Sequence, residues 1–425
     1  MGLMRTLASR AAEGAIVVSW AAEVLPMQIH GVDRRSFLKT IGSASLSTAL
    51  PIEAFGVSPY GSSIVEEIAR PGQVGDAKPA YSVRFAVAGM SHDHIYGMVN
   101  AMIRGGGVLV SAYAAEPERG AAFLKQYPQA KAAKSEEEIL NDSSIQLVLS
   151  SAIPNQRAPL GIRVMRHGKD YLSDKPAVTT LEQLAEVRKT IAETKKIFAI
   201  MYSERLEVKA AVKAGELVQA GAIGKVIQTI NIAPHQVFQT GGTAGGGSGR
   251  PQWFWEPEKY GGILTDIGSH QVDQFLFYTG STTAEVVASQ VANLRHKDHP
   301  KFQDFGDMML RGNAGFGYVR LDWFTPHGLG TWGDGRLFIL GTDGYMELRK
   351  YADITGHKGG NHLFVVDAKE ARYIDCNNLT LPFGPQFVSD VVNRTHIAQD
   401  QAQCLLAAEL VIRAQQGATH ASIQG

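Results

Sequence analysis

The chain has 425 residues, a formal net charge of zero, 44% hydrophobic residues and 19% charged ones. That length exceeds one small domain, and the balanced charge argues against a nucleic-acid partner and for a small neutral or polar ligand. With only Cys376 and Cys404 no disulfide framework is expected, and without an apolar run of roughly 18 residues no stable membrane span is expected.

Residues 1–56 read as an N-terminal extension carrying an address. Asp33-Arg34-Arg35-Ser36-Phe37-Leu38-Lys39 and the weakly apolar residues 40–50 resemble a twin-arginine signal, with Asp33 in place of its usual Ser or Thr. The resemblance implies passage through the twin-arginine export machinery to the periplasm, a route taken by folded, often cofactor-loaded proteins. Residues 57–80, with several Pro, Gly and Ser, read as a linker.

From 81 to 203 strand-like and helix-like stretches alternate. Strands are expected at 83–88, 108–115, 145–150 and 197–201, with helices at 118–127 and 181–194. This spacing predicts an α/β domain with a Rossmann-type, doubly wound parallel sheet, whose ligand sits at the carboxyl ends of the strands. The first strand runs into Gly89-Met90-Ser91-His92-Asp93-His94. Of the three glycines in a G-x-G-x-x-G phosphate loop only Gly89 is present, although Ser91 is small enough to let a pyrophosphate approach backbone at a helix start. Past the second strand, Ala114 stands where an aspartate would be expected, so Glu116 is the nearest acid for ribose hydroxyls. His92 and His94 have no third ligand close in sequence, so no metal site is expected, and Asp93 reads as a helix N-cap.

Residues 204–425 read as an α+β domain with a large, open, mixed β-sheet. A helix is expected at 206–220, with strands at 226–233, 285–294, 317–324, 336–340, 345–350 and 362–366. Gly312-Asn313-Ala314-Gly315 has the composition of a hairpin turn, and 401–415 is apolar at helical spacing. A sheet this broad has a face that homo-oligomerisation would bury. The glycine-rich run 241–249 lacks the lysine and helix of a phosphate loop and suits a lid or connector. It leads to Trp253, Trp255 and Tyr260, candidates to stack on a sugar face or to fill a core, with His235 at the preceding strand end. In a helix starting near Gly262, Asp266, His270 and Asp273 fall at i, i+4 and i+7 on one face, with Val272, Phe275 and Leu276 opposite. Two carboxylates around a histidine suit acid/base work near neutral pH. Lys175, between Asp174 and Pro176, is expected in extended backbone at a strand end, where its ammonium would lower a neighbouring hydroxyl's pKa.

Taken together, Gly89, Ser151-Ala152-Ile153-Pro154-Asn155, Asp174-Lys175-Pro176, Gly221-Ala222-Ile223-Gly224-Lys225, Asp266-x-x-x-His270 and Gly341-Thr342-Asp343-Gly344 resemble the Gfo/Idh/MocA oxidoreductases from about residue 83 to 418. The resemblance implies NAD or NADP, held by Gly89, Ser91, His92, Glu116, Ser151, Pro154, Asn155, Asp174 and Lys175. It implies that His270 takes a hydroxyl proton while Lys175 and Asp266 position the substrate and tune that histidine. His235, Trp253, Trp255, Tyr260 and Asp273 would then contact a carbohydrate. A histidine common in the family falls at Ala158 here. The implied function is NAD(P)-dependent oxidation of a sugar, polyol or glycoside hydroxyl. Alternatives are redox-neutral glycoside cleavage or sugar–sugar transfer with a tightly held, internally recycled cofactor, and a non-catalytic sensor or scaffold.

Overall fold

The computed structural model describes residues 65–68, 79–237 and 250–423. The twin-arginine stretch and the glycine-rich run at 241–249 therefore lie outside the described residues. Strands β2 (Arg84–Ala88), β3 (Val108–Tyr113), β4 (Lys131–Ala132), β5 (Leu147–Ser150), β6 (Asp170–Asp174) and β7 (Phe198–Met201) form one sheet, ordered β4-β3-β2-β5-β6-β7 and parallel throughout. Every residue of β5, β6 and β7 is buried, as a parallel sheet covered on both faces requires. The covering helices are α1 (His94–Arg104), α2 (Pro117–Gln126), α3 (Glu136–Asn141), α4 (Pro154–Arg166) and α5 (Leu181–Thr194). Ser135 and Thr180 start two of them by accepting a hydrogen bond from the third helical N–H. The chain order reverses between β2 and β5, which opens a crevice at their carboxyl ends.

The helix expected at 206–220 is two pieces, α6 (Ser203–Leu206) and α7 (Lys209–Gln219), separated at Glu207 and Val208. Beyond them a ten-stranded mixed sheet runs in the order β1-β15-β14-β13-β12-β8-β11-β10-β9-β16. Its strands are β1 (Val65–Ile68), β8 (Val226–Pro234), β9 (Ala284–Ala292), β10 (Phe305–Gly312), β11 (Phe316–Asp322), β12 (Arg336–Gly341), β13 (Gly344–Arg349), β14 (His362–Asp367), β15 (Ala371–Asp375) and β16 (Thr419–His420). The turn at Gly312-Gly315 joins β10 and β11 as an antiparallel hairpin. Short helices α8 (Pro257–Tyr260) and α9 (Ile263–Asp266) lead into α10 (Gly268–Thr279), which lies against this sheet, its Phe275 ring filling the space over Gly312 and Gly317. Within α10 only Phe277 is not buried, so the helix is enclosed on all sides rather than split into a wet and a dry face.

Two boundaries differ from the sequence reading. β1 falls inside the expected linker, yet pairs in parallel with β15. Of the C-terminal helices α11 (Phe383–Asn393) and α12 (Gln401–Gln416), α12 packs on α10 and β9 of the second domain, whereas α11 packs on α1 of the first domain. Asp170 is clasped from the same region by both terminal nitrogens of Arg394, at 2.6 and 2.8 Å. The α1–α11 crossing depends on glycine. A Cβ on Gly384 would stand 2.0 Å from the Ala101 carbonyl oxygen, and one on Gly105 would stand 2.3 Å from the Gly384 oxygen. Because the obstacle is backbone, it cannot rotate away. Gly384→Ala is expected to cost about 1–3 kcal/mol in denaturant unfolding; an unchanged midpoint would show that the helices can separate freely.

Candidate active site

The crevice is built first by the loop after β2. Gly89 has φ +83°, and a Cβ there would lie 2.7 Å from Ala152 Cβ, so this position requires glycine. Ser151 is fully buried and holds the loop: its N–H donates to the Gly89 carbonyl, its Oγ donates to the His92 carbonyl at 2.6 Å, and its own carbonyl accepts from the His92 N–H. Ser151 is thus a support behind the loop. Ser91 Oγ donates to Glu116 Oε1 at 2.6 Å, whereas Glu116 Oε2 is buried with no partner. A buried carboxylate oxygen without a donor suits a ribose hydroxyl. Asp93 occupies the N-cap position of α1 but its side chain does not cap; it pairs with Arg119 at 3.0 Å instead. The uncapped first turn is left to bind an anion. The residues present therefore fit a dinucleotide.

At the end of β6, Asp174 is buried and surrounded by donors. Arg157 Nη2 lies 3.0 Å from Oδ2, His94 Nδ1 2.8 Å from Oδ1 and His92 Nδ1 3.1 Å from Oδ2. Burial alone would raise its pKa, but His94 and Arg157 hold this carboxyl well below the usual range. Burial, and then the neighbouring His94, pushes His92 down to about 4. Arg157 is one helical turn's distance from the start of α4, fully buried, and also bonds the Ala152 and Lys175 carbonyls. Sequence reasoning passed over it. A charged residue one position before the missing family histidine was the available signal.

Next along the chain, Lys175 Nζ reaches the second domain and donates to Asp266 Oδ1 at 2.9 Å. Asp266 was expected to orient His270; no hydrogen bond joins them among the described residues, and Asp266 is paired with the lysine. An ammonium is the stronger partner for a carboxylate. His270 is buried, its Nδ1 has no hydrogen-bond partner, and its ring centre lies 6.4 Å from that of His94. Burial keeps its pKa well below the usual value; Glu204 opposes this and Lys175 reinforces it. The environment therefore favours the neutral imidazole.

The remaining candidates divide. His235 is half-buried between the rings of Trp323 and Trp332, at 5.3 and 4.7 Å, and is pushed down to about 4 by burial, with the charges of Glu204, Lys175 and Asp266 also acting on it. Trp253 is half-buried with its ring 6.4 Å from His92. Trp255 instead stacks on His299 at 3.9 Å, and Tyr260 is buried beside Phe254 and Phe302; both belong to an aromatic core. Asn155 reaches towards the Glu258 carbonyl, and Pro154 opens α4. Asp273 is corrected: it is fully buried and both its oxygens are taken by Arg205, at 2.6 and 3.1 Å. With the helix enclosed, the i+7 carboxylate needs an internal cation.

Glu204 and Lys350 were not singled out from sequence. They form a buried pair at 2.6 Å behind His270 and His235, and Gln271 also donates to Glu204. Burial alone would raise the Glu204 pKa, but Lys350 foremost holds it far below the usual range. The pair's stability is thus present above the unfolded carboxylate pKa of about 4.3 and is lost as pH falls through the lower folded value. Lys350→Met should cost about 3–5 kcal/mol near pH 8 by stranding the carboxylate. The dependence should also invert, with this variant gaining relative stability as pH falls and Glu204 takes up a proton. Denaturant melts at about pH 5 and about pH 8 read both effects.

Comparison with known proteins agrees with this architecture. A family model described as an oxidoreductase family with an NAD-binding Rossmann fold matches residues 83–202, and the GFO/IDH/MocA C-terminal domain matches residues 211–347. A solved protein from Erwinia carotovora atroseptica, designated an oxidoreductase without a stated substrate, is 44% identical with a TM-score of 0.76, over 80% of this chain and 100% of its own. The 3-ketoreductase KijD10 of Actinomadura kijaniata, solved with NADP and TDP-benzene, shares the fold at 14% identity, TM-score 0.63, covering 80% of this chain and 98% of that one. A 1,5-anhydro-D-fructose reductase from Ensifer adhaerens is 28% identical over 198 residues, 45% of this chain and 55% of the relative. The chain thus matches about half the length of that curated relative. It belongs to the Gfo/Idh/MocA oxidoreductase family, with that family's NAD-binding Rossmann domain at residues 83–202.

Proposed function

We propose that the protein oxidises a secondary hydroxyl of a sugar, polyol or glycoside, or reduces the matching ketone, with His270 as acid/base and Lys175 as the polarising cation. The observation that carries this is the Lys175–Asp266 pair at 2.9 Å, bridging the two domains beside a buried His270 whose Nδ1 lacks a protein partner. When bound, the nicotinamide supplies a hydride acceptor. Lys175 donates to the substrate oxygen and favours its ionised form; Asp266 restrains that ammonium; His270 removes the hydroxyl proton. The half-buried Trp253 and His235 border this space and suit a carbohydrate face and hydroxyl. His270→Asn should lower turnover about 100-fold or more with cofactor binding retained, followed as NAD(P) reduction over a panel of aldoses, polyols and glycosides. Turnover equal to the parent's would remove His270 from the chemistry.

The cofactor favoured by this reading is NAD. Glu116, with its unpartnered oxygen at the end of β3, accepts from ribose hydroxyls and repels a 2′-phosphate. Glu116→Ala is expected to weaken NAD binding about tenfold and to narrow the ratio of NAD to NADP affinity, measured by titration calorimetry. Equal loss for both cofactors would refute the assignment.

Redox-neutral glycoside cleavage is the second reading. It requires proton handling at two places, and the imidazoles of His92 and His94 offer a second set across the crevice from His270. Glycoside hydrolysis without net cofactor reduction separates the two. The Arg34-Arg35 signal supports export of the folded, cofactor-loaded protein, where internal recycling would be valuable. Exposed Val287, Met309, Phe316, Leu340 and Tyr345 on the large sheet support a homo-oligomer.

A further inference from the structure

Where the loop after β2 meets the end of β6, three side chains of metal-ligand type converge. One donor atom from each of His92, His94 and Asp174 lies within 4.8 Å of the others, and the two rings are 4.1 Å apart, edge to face. Asp174 is asked to serve four partners at once: both histidines, Arg157 and the Lys175 N–H, at 2.8 to 3.1 Å. The same imidazole–carboxylate distances are those between neighbouring ligands of one ion. Donors about 2.1 Å from a metal and about 90° apart are separated by about 3.0 Å. We propose that His92, His94 and Asp174 bind one divalent transition-metal ion, with its open coordination positions facing the crevice.

Three further features are those a metal site needs. The support is rigid: Ser151 clamps the His92 backbone from both sides, and Arg157 fixes Asp174 from within. The exposure is graded, from 1% for the Asp174 side chain to 27% for His92 and 40% for His94, so the carboxylate anchors while the imidazoles open outward. The charge is also suitable. Arg157 already balances Asp174 and Asp266 balances Lys175, so an added ion would leave a net positive centre that attracts an ionisable oxygen. Two imidazoles and one carboxylate with vacant positions suit zinc, manganese, iron or cobalt rather than calcium or magnesium.

Binding of the ion stands on the ligand geometry alone. Its role rests on the proposed reaction: with the His94 ring 6.4 Å from that of His270, the ion would polarise a substrate oxygen beside the carbon being oxidised. The test uses the purified full-length protein without substrate. Elemental analysis should find about one zinc, manganese, iron or cobalt per chain, and titration of the stripped protein with Co²⁺ should give saturable ligand-field bands. His92→Gln/His94→Gln should weaken Co²⁺ binding at least about 100-fold. Undetectable metal with no saturable Co²⁺ binding overturns the proposal, as does equal binding in the double variant. Should that variant fail to fold, His94→Cys is decisive: a thiolate-to-cobalt charge-transfer band is expected, and a folded protein lacking it overturns the site. Since no readout uses turnover, this failure is distinct from that of the oxidoreductase assignment, which the His270→Asn kinetics report.

Discussion

Of the ion pairs that join the two halves of this protein, one lies at the crevice itself. Lys175 directly follows a strand of the parallel sheet, Asp266 closes the short helix before α10, and their side chains meet at 2.9 Å. An isolated exposed pair would contribute little, but here the lysine side chain is 6% exposed and the aspartate 17%, so each charge depends on the other. Breaking the pair would leave a charge stranded at the domain junction. The pair holds the two domains together at the crevice, where the His270 ring lies 6.4 Å from that of His94 of the other domain.

The rest of the interior follows from protecting that arrangement. Arg157 answers Asp174, Arg205 answers Asp273 and Lys350 answers Glu204, each buried and each within 3.1 Å. Such pairs rarely add net stability over apolar packing. Of these, the Glu204–Lys350 pair sets its carboxylate near His235 and His270, where it opposes the downward push that burial gives both imidazoles. Burial and the Lys175 ammonium both disfavour the charged form of His270, whereas the Glu204 carboxylate favours it.

Much of this was legible in the residues. Apolar runs such as Leu147–Ser150 and Phe198–Met201 announce strands buried on both faces, and of the expected trio the structure brings Lys175 against Asp266. What the sequence hid was pairing at long range. Asp273 looked equivalent to Asp266 because both share a helical stripe, yet Arg205, far away in the chain, claims it. Trp255 and Tyr260 looked like Trp253, but His299 and Phe302 cover them. Likewise β10, Phe-Gly-Asp-Met-Met-Leu-Arg-Gly, lacks a strand's clean alternation and is recognisable only beside β9 and β11.

The eroded glycine loop illustrates the same point from the opposite direction. A glycine-rich phosphate loop works because backbone alone makes the turn and lets a ligand approach. Here glycine is retained only at Gly89, where φ is +83° and Ala152 leaves no room. Elsewhere side chains have taken over: Ser91 is tied to Glu116, Asp93 to Arg119, the His92 backbone to Ser151, and both histidines to Asp174. A loop held by this many polar contacts no longer needs glycine's freedom at its second and third positions. Those positions are then open to side chains, which is why Ser91 and the His94 imidazole can stand where other dinucleotide-binding loops present bare backbone.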